Sequence, residues 1–338
     1  MIVIRSIANK VCRALQERCP LGTVVTIDGG GMNWHCVAQF GEQYCSIACG
    51  VVRKSRKRVD YTCYFRTGAP IHAMGRTQVM EEAVEAAVCW MLGENVNSLH
   101  RKLDFVDARM RSLIKMRETM LAEFPEIADA NPTLQESGCY EFSLHIEAAG
   151  RSCTLDYDGH NDEPDCVFEW DGTEMFKLRS SDFNTQAALV KRWVCDQAMP
   201  SEINREHPFV ELRRAAACFE AGHPLEGEFV ASWDSAEEQY GHFHPRALNK
   251  KAVARFIGEL RNAGFDRTLR AGMSMSTLIL SRSRFHGLRE NQPWVSFYFE
   301  NDSVIFQTLN GENETIDGFK MTPLIESTLR MLNQHPVD

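Results

Sequence analysis

The sequence predicts an α+β protein of three related units, each a repeated antiparallel β-meander with helices in the order α-β-β-β-α. The main observation is a pattern that occurs three times: an aromatic-rich strand, a turn, a second short strand and an amphipathic helix. Its copies cover residues 59–92, 165–198 and 293–334. Within the first copy, Tyr61, Cys63 and Phe65 take every second position, which is the period of a strand with one buried face.

The elements of the first unit follow from capping and periodicity. Ser6 can cap a helix over residues 6–18, whose apolar positions recur at helical spacing. Strands are predicted near 23–27, 32–40 and 44–52. The glycines at 29–31 predict a hairpin turn, because no Gly-Lys-Ser/Thr follows as in a phosphate-binding loop. One long helix over 95–123 has heptad-like spacing, so it either packs on its own unit or serves dimerisation.

In the second and third units, helix caps are the clearest signals. Asp182 can cap a helix to about 198, Gly264 can end a helix over 249–263, and Thr322-Pro323 can begin the final helix. Residues 125–137 are predicted to be a linker, and 226–233 a strand. The other predicted strands lie near 139–147, 151–158, 166–170, 176–178, 272–283, 293–300 and 303–308.

The predicted domains are a basic first module over 1–124, an acidic second module over 133–206 and a third module over 207–338. Antiparallel meanders backed by helices are a common α+β solution. This element order resembles the architecture of small bacterial chaperones for secreted proteins, and the resemblance implies a chaperone-like binding role. A fold does not fix a function, so the site residues have to be considered separately.

Composition indicates an ordinary globular protein. The chain has 338 residues, of which 44% are hydrophobic and 25% charged. No apolar run approaches the roughly 18 residues of a membrane helix, and the N-terminus does not resemble a signal peptide. We therefore expect a cytoplasmic protein with no membrane partner. The twelve cysteines form no CxxC pair, which favours reduced thiols in the core over disulfides or a metal.

Charge is unevenly distributed along the chain. Residues 1–58 carry nine Lys/Arg against three Asp/Glu, whereas residues 125–206 carry six against seventeen. Such separation is typical of surfaces with different partners, or of modules that each have their own solvated face. The two surfaces are complementary, so head-to-tail self-association through them is one hypothesis.

A basic segment is the sharpest local feature. Five of the six residues at 53–58 are cations, and the segment lies between predicted strands. They are Arg53, Lys54, Arg56, Lys57 and Arg58. A cluster of this kind can bind nucleic-acid phosphates or an acidic protein surface. A solvated hairpin tip would have the same composition.

Two further motifs suggest metal binding. Asp156 and Asp158 are two residues apart on a predicted strand, so their carboxylates would share a face and could hold Mg²⁺ or Mn²⁺. His242 and His244 have the same spacing and could ligate Zn²⁺ if a third ligand came from elsewhere. The alternatives are a solvated acidic turn and a surface loop.

No catalytic or cofactor signature occurs in the sequence, so we expect no cofactor and leave enzymatic activity uncertain. The leading interpretation is a non-enzymatic protein-binding or scaffold protein, chaperone-like, acting through charged module surfaces on a protein partner or on itself. One alternative is nucleic-acid binding through residues 53–58. Another is a divalent-metal-dependent transferase or hydrolase using Asp156 and Asp158.

Overall fold

The structure, a computed structural model, confirms an α+β fold with three similar units. Each unit contains one antiparallel sheet of five strands, with helices before and after it in the chain. The structure describes residues 2–30, 33–51, 59–137, 140–157, 163–242, 249–274, 277–284, 292–300 and 302–337. No helix within these ranges combines the length and apolar character needed to cross a bilayer.

By the compactness of its backbone, the chain divides into two larger compact units, which do not coincide with the three sheet-containing units. The first comprises residues 1–125, 132–145 and 155–164; the second comprises residues 126–131, 146–154 and 165–338. Each of the predicted modules 1–124, 133–206 and 207–338 contains one of the three sheets.

The first sheet has its strands in chain order, each antiparallel to the next. Its elements are α1 (Ile2–Arg18), β1 (Val24–Gly30), β2 (Asn33–Phe40), β3 (Gln43–Val51), β4 (Val59–Thr67), β5 (Ile71–Thr77) and α2 (Met80–Met91). Strands β1 and β2 pair from Val24 opposite Gln39 to Gly30 opposite Asn33, which confirms the predicted hairpin. Because α1 begins at Ile2, Ser6 lies inside the helix and the prediction that it caps the helix is wrong.

The core of this sheet lies on the face that carries the alternate apolar residues. Cys63 and Phe65 of β4 are fully buried in one cluster with Val11 and Leu15 of α1. The ring of Phe65 meets that of Trp90 in α2 edge to face, with centroids 5.8 Å apart. Thus the period-2 pattern of the sequence decides which face of the sheet the helices cover.

The segment after α2 is broken, so the predicted continuous helix over 95–123 is wrong. It forms α3 (Val96–Lys102) and α4 (Ala108–Glu123). Between them the backbone N–H of Asp107 donates to the carbonyl oxygen of Met74 in β5 at 2.7 Å, and Val106 bridges Gly75. This backbone pairing with the edge of the sheet takes residues 103–107 out of the helix. The 16 residues of α4 are shorter than the three heptads that indicate a coiled coil.

The second sheet has the strand order β10-β9-β8-β7-β6. Its elements are β6 (Thr133–Ser137), β7 (Glu141–Ala148), β8 (Arg151–Asp156), β9 (Asp165–Trp170), β10 (Thr173–Arg179), α5 (Phe183–Val190), α6 (Pro200–Glu206) and α7 (Arg214–Glu220). The predicted linker over 125–137 instead contains a 3₁₀ turn over Pro125–Ala130 followed by β6. Asp182 caps α5 as predicted, accepting from the N–H of Asn184 at 3.1 Å.

The third sheet, like the other two, has its strands adjacent in chain order. Its elements are α8 (Pro224–His242), α9 (Lys250–Asn262), β11 (Arg270–Ser274), β12 (Thr277–Ser281), β13 (Trp294–Phe299), β14 (Ser303–Gln307), β15 (Asn313–Asp317) and α10 (Pro323–Leu332). Gly264 has a φ of 83° after α9, and Thr322 accepts from the N–H of Ile325, so both predicted caps are confirmed.

Two predictions in this region are wrong. Residues 226–233 belong to α8 and not to a strand, because Phe229, Trp233, Ala236 and Tyr240 recur at helical spacing and are all buried. The predicted strand over 272–283 spans parts of two strands, β11 and β12, which pair as a hairpin with Ser274 opposite Thr277.

Two glycines in α8 and α9 provide a matched test of helix packing. A Cβ atom on Gly227 in α8 would lie 2.5 Å from the ring of Phe219 in α7, whereas one on Gly258 in α9 would meet nothing within 4 Å. We expect Gly227→Ala to lower the free energy of unfolding by about 1–3 kcal/mol through overpacking. Gly258→Ala should raise it by roughly 0.5–1 kcal/mol, because alanine favours the helix.

Urea unfolding of both variants, followed by tryptophan fluorescence, measures these differences. Equal effects of the two substitutions would contradict the close packing of α7 on α8.

Candidate functional site

The predicted basic segment lies outside the described residues. Arg53, Lys54, Arg56, Lys57 and Arg58 all belong to residues 52–58, which fall between β3 and β4 in the chain. Binding of nucleic acid or an acidic partner by this segment therefore stays a prediction.

The structure describes the side chain of one of the four predicted metal ligands, Asp156. Asp156 is the last residue of β8 and is exposed, whereas Asp158 lies outside the described residues. His242 ends α8; its side chain and the whole of His244 also lie outside. Within the described part of the chain, no group of three or more His, Cys, Asp or Glu side chains could hold a metal ion. Neither predicted ligand pair is thereby tested.

The cysteines that the structure describes are free thiols, and most are buried. Burial raises the pKa of the Cys63 thiol, and the pKa values of Cys45 and Cys153 rise well above their ordinary range for the same reason. Burial, with the nearby Glu94 carboxylate, raises the pKa of Cys89 to about 11. Since the thiolate is the reactive form, these groups behave as apolar core residues at neutral pH, as predicted.

A serine and a histidine meet on the outward face of the first sheet. Ser46 Oγ lies 3.4 Å from Nδ1 of His35, a distance at the weak limit of hydrogen bonding. Asp28 is opposite His35 in the β1–β2 register, but among the described residues no carboxylate bonds to that ring. The contact therefore lacks the orienting group that a nucleophile–base pair needs.

Arg151 is the most deeply buried cation described. Its guanidinium carbon lies 3.7 Å from the ring centroid of Trp170 and 3.9 Å from that of Trp193, and Nη1 donates to the carbonyl oxygen of Ala198 at 2.9 Å. Burial lowers the pKa of this guanidinium to about 10. Because both faces of the group and one of its nitrogens are engaged, Arg151 fastens the chain after α5 to the second sheet and does not present its charge to a ligand.

A buried carboxylate occupies the junction of α3 and α4. Asp107 Oδ2 lies 2.7 Å from Nε2 of His100, and Oδ1 accepts the backbone N–H of Met74 at 2.8 Å. Asp107 has a φ of 51°, a strained region for a residue other than glycine. Burial raises the pKa of the Asp107 carboxyl, although the hydrogen bonds from Met74 and His100 act in the opposite direction. Strain and buried charge occur at functional sites, but here they also fasten α4 to β5.

The outward face of the third sheet has a different character. By register, Thr277, Tyr298 and Ile305 lie side by side across β12, β13 and β14, and Ile279, Ser296 and Gln307 form the next row. We call the outward residues of these three strands the aromatic face. They are Thr277, Ile279, Ser281, Trp294, Ser296, Tyr298, Ser303, Ile305 and Gln307, and none of them is charged.

The aromatic side chains of this face lie around one isoleucine. Ile279 is directly opposite Ser296 and therefore diagonal to both Trp294 and Tyr298, within reach of large side chains. Tyr298 is 43% exposed, while Trp294, Ile279 and Ile305 are half-buried. Depletion of charge together with enrichment in Tyr and Trp is the composition of protein-binding interfaces.

The aromatic face was not predicted from the sequence, because its residues are spread over three strands and form no charged or metal-binding motif. The usable signal was the outward half of the alternation in the strand over 293–300. Three of its outward positions, Trp294, Ser296 and Tyr298, are uncharged and the fourth, Glu300 at the end of the strand, is charged, although polar or charged residues are usual on the solvated face of an antiparallel sheet.

The Asp107 carboxylate generates a pH-dependent prediction. Because its pKa is raised in the folded protein, the folded state binds this proton more tightly than the unfolded chain does. The stability that Asp107 contributes is thus fully present below its unfolded pKa of about 3.9 and is lost as the pH rises through the folded pKa. Relative to Asp107→Asn, which does not titrate, the wild type should lose stability as the pH rises from about 4.

Urea unfolding of the wild type and Asp107→Asn at a series of pH values measures this difference. Asp107→Ala should cost about 1–3 kcal/mol more than Asp107→Asn, because it leaves the part-buried N–H of Met74 without its acceptor, and its difference from the wild type should change with pH in the same direction. A pH-independent difference between wild type and Asp107→Asn would contradict the raised pKa.

Comparison of the chain with protein-family models, with curated proteins and with solved structures gives no match. The function has to be argued from the geometry described above. Of the features considered, the aromatic face is the one whose chemistry points to a ligand class.

Proposed function

We propose that this chain is a non-enzymatic protein-binding protein, scaffold or chaperone-like, and that the aromatic face is a principal contact surface. The observation that carries the proposal is the set of nine uncharged residues on the outward side of three adjacent strands, of which Ser281 and Ser296 are buried and the other seven are exposed or half-buried. In a protein with 25% charged residues, a sheet face of this composition favours contact with another polypeptide.

The position of this face supports a fixed binding surface. The inward residues of the same strands, including Leu280, Phe297 and Phe306, are fully buried against α8, α9 and α10. The rings of Phe297 and Phe306 stack with centroids 4.9 Å apart. Because the strands are held by a packed core, the outward side chains are presented in a fixed arrangement, which lowers the entropic cost of binding.

Charged surfaces belong to the proposal as a second means of contact. Helix α1 exposes Arg5, Lys10 and Arg13, so the basic character of residues 1–58 extends to described residues. Such cations steer an acidic partner and affect the association rate more than the affinity.

Peptides displayed on phage can test the proposal before a natural partner is identified. A library of unstructured peptides is selected on the wild type, and the dissociation constants of enriched peptides are measured for two variants. We expect Tyr298→Lys to weaken binding by about tenfold or more, because it places a charge among aromatic anchors. Leu92→Lys should leave binding unchanged, because Leu92 is 63% exposed but lies outside the aromatic face.

Thermal unfolding of both variants is the control for folding. Selected peptides that bind Tyr298→Lys as well as the wild type would contradict binding at the aromatic face.

A further inference from the structure

Strand β1 is an edge of the first sheet, and its outward side chains are exposed. Val24 is 61% exposed, Thr26 and Asp28 are exposed, and the preceding Leu21 is fully exposed. Among the strands that the structure describes, β1 pairs with β2 alone. The outer edge of such a strand presents backbone N–H and C=O groups that can pair with another strand.

The opposite edge of the same sheet is covered by the chain itself. Beyond β5, Val106 bridges Gly75, and the N–H of Asp107 donates to the carbonyl oxygen of Met74 at 2.7 Å. Oδ1 of Asp107 also accepts the N–H of Met74. This edge is therefore closed to a further strand along that part of β5.

Strands β10 and β11, which are edges of the second and third sheets, also make hydrogen bonds to other segments of the chain. At β10, the N–H of Arg213 donates to the carbonyl oxygen of Met175 at 2.7 Å. At β11, the N–H of Ala271 donates to Oγ of Ser232 in α8 at 2.9 Å. At each of these edges, one backbone group is thus paired with a following or preceding segment of the same chain.

The remaining two edge strands carry charge instead. Strand β6 has five residues and exposes Glu136, and β15 has five residues and exposes Glu314 and Asp317. Short length and charged side chains are common devices against pairing of edges.

Strand β1 has fewer of these devices: it is longer than β6 and β15, and among the described residues no bridge or backbone hydrogen bond from another segment engages its outer edge. Its seven residues, Val-Val-Thr-Ile-Asp-Gly-Gly, include neither Lys, Arg nor Pro, and its register with β2 continues without a bulge. Asp28 is its one charge. The other five edge strands are engaged by the chain or are short and charged. The edge of β1 is therefore the one best suited to pair with another strand.

We propose that β1 pairs antiparallel with β1 of a second copy of this chain, about a two-fold axis at Thr26. The sequence is complementary to itself in that register. Val25 faces Ile27 of the other copy, Thr26 faces Thr26, and Val24 faces Asp28. Pairs of β-branched residues and Thr–Thr pairs stabilise antiparallel strands, and the two carboxylates are not opposite each other.

Burial supports the same occupant. Val25 and Ile27 pack at the margin of the core beneath α1 and are only half-buried there. Directly opposed residues of two antiparallel strands share a face, so the same pair from a second copy would cover them. The resulting interface is isologous, as in most homodimers, and joins two first sheets into one of ten strands.

Sedimentation velocity of the full chain, from low to high micromolar concentration, tests the proposal. We expect a dimer of twice the 38.4 kDa chain mass, and a rise in its dissociation constant of about tenfold or more for Thr26→Lys, which places two cations opposite each other. Gln39→Lys is the matched control. Gln39 is exposed on β2 opposite Val24, so it adds the same charge without lying on the edge, and it should leave the dimer intact.

A second variant reports on the register. In Thr26→Cys, oxidised glutathione should join two chains, because thiols on facing Thr26 positions form the new disulfide while glutathione is reduced. Gln39→Cys should not crosslink. A chain that stays monomeric, or a dimer that Thr26→Lys does not weaken, would overturn the proposal. A dimer that salt dissociates and Thr26→Lys leaves intact would assign association to the complementary charged surfaces instead.

Discussion

Burial of the alternate apolar residues of each sheet against helices is the constraint on which the rest of the structure depends. Side chains alternate along each strand, so a layer of helices on one face selects every second residue for the core. An aromatic pair lies on the buried face of each of the three sheets. The pairs are Phe65 with Trp90, Phe168 with Phe176, and Phe297 with Phe306. The three sheets differ in how far the other face and the edges are covered.

The sequence was informative where a pattern is local. Alternation in β4 and capping by Asp182 and Thr322 depend on a few neighbouring residues, and the structure confirms them. The break at Asp107 could not be predicted, because it depends on pairing with β5, which is about 30 residues away in the chain. Residues 226–233 were assigned to a strand because the window was too short to include the helical repeat through Tyr240.

The candidate surfaces were harder to predict than the fold. The aromatic face is defined by the register of β12, β13 and β14, and no single strand carries enough of it to be noticed. The open edge of β1 is distinguished only by comparison with the covered or charged edges, such as β5 with Asp107 or β15 with Glu314. Both features are properties of strand order, whereas motifs in a sequence are read one at a time.

The distribution of thiols has a practical consequence. Buried cysteines such as Cys45 and Cys63 belong to the first sheet, Cys153 and Cys166 to the second, and no cysteine follows Cys218 in the chain. Since a buried thiol reacts with an alkylating reagent only when its surroundings open, labelling kinetics read by mass spectrometry would record the opening of each of these two sheets separately. The cysteines of the native chain would thus report local unfolding of the first two sheets. The third sheet contains no cysteine, so its opening would not be detected by this labelling.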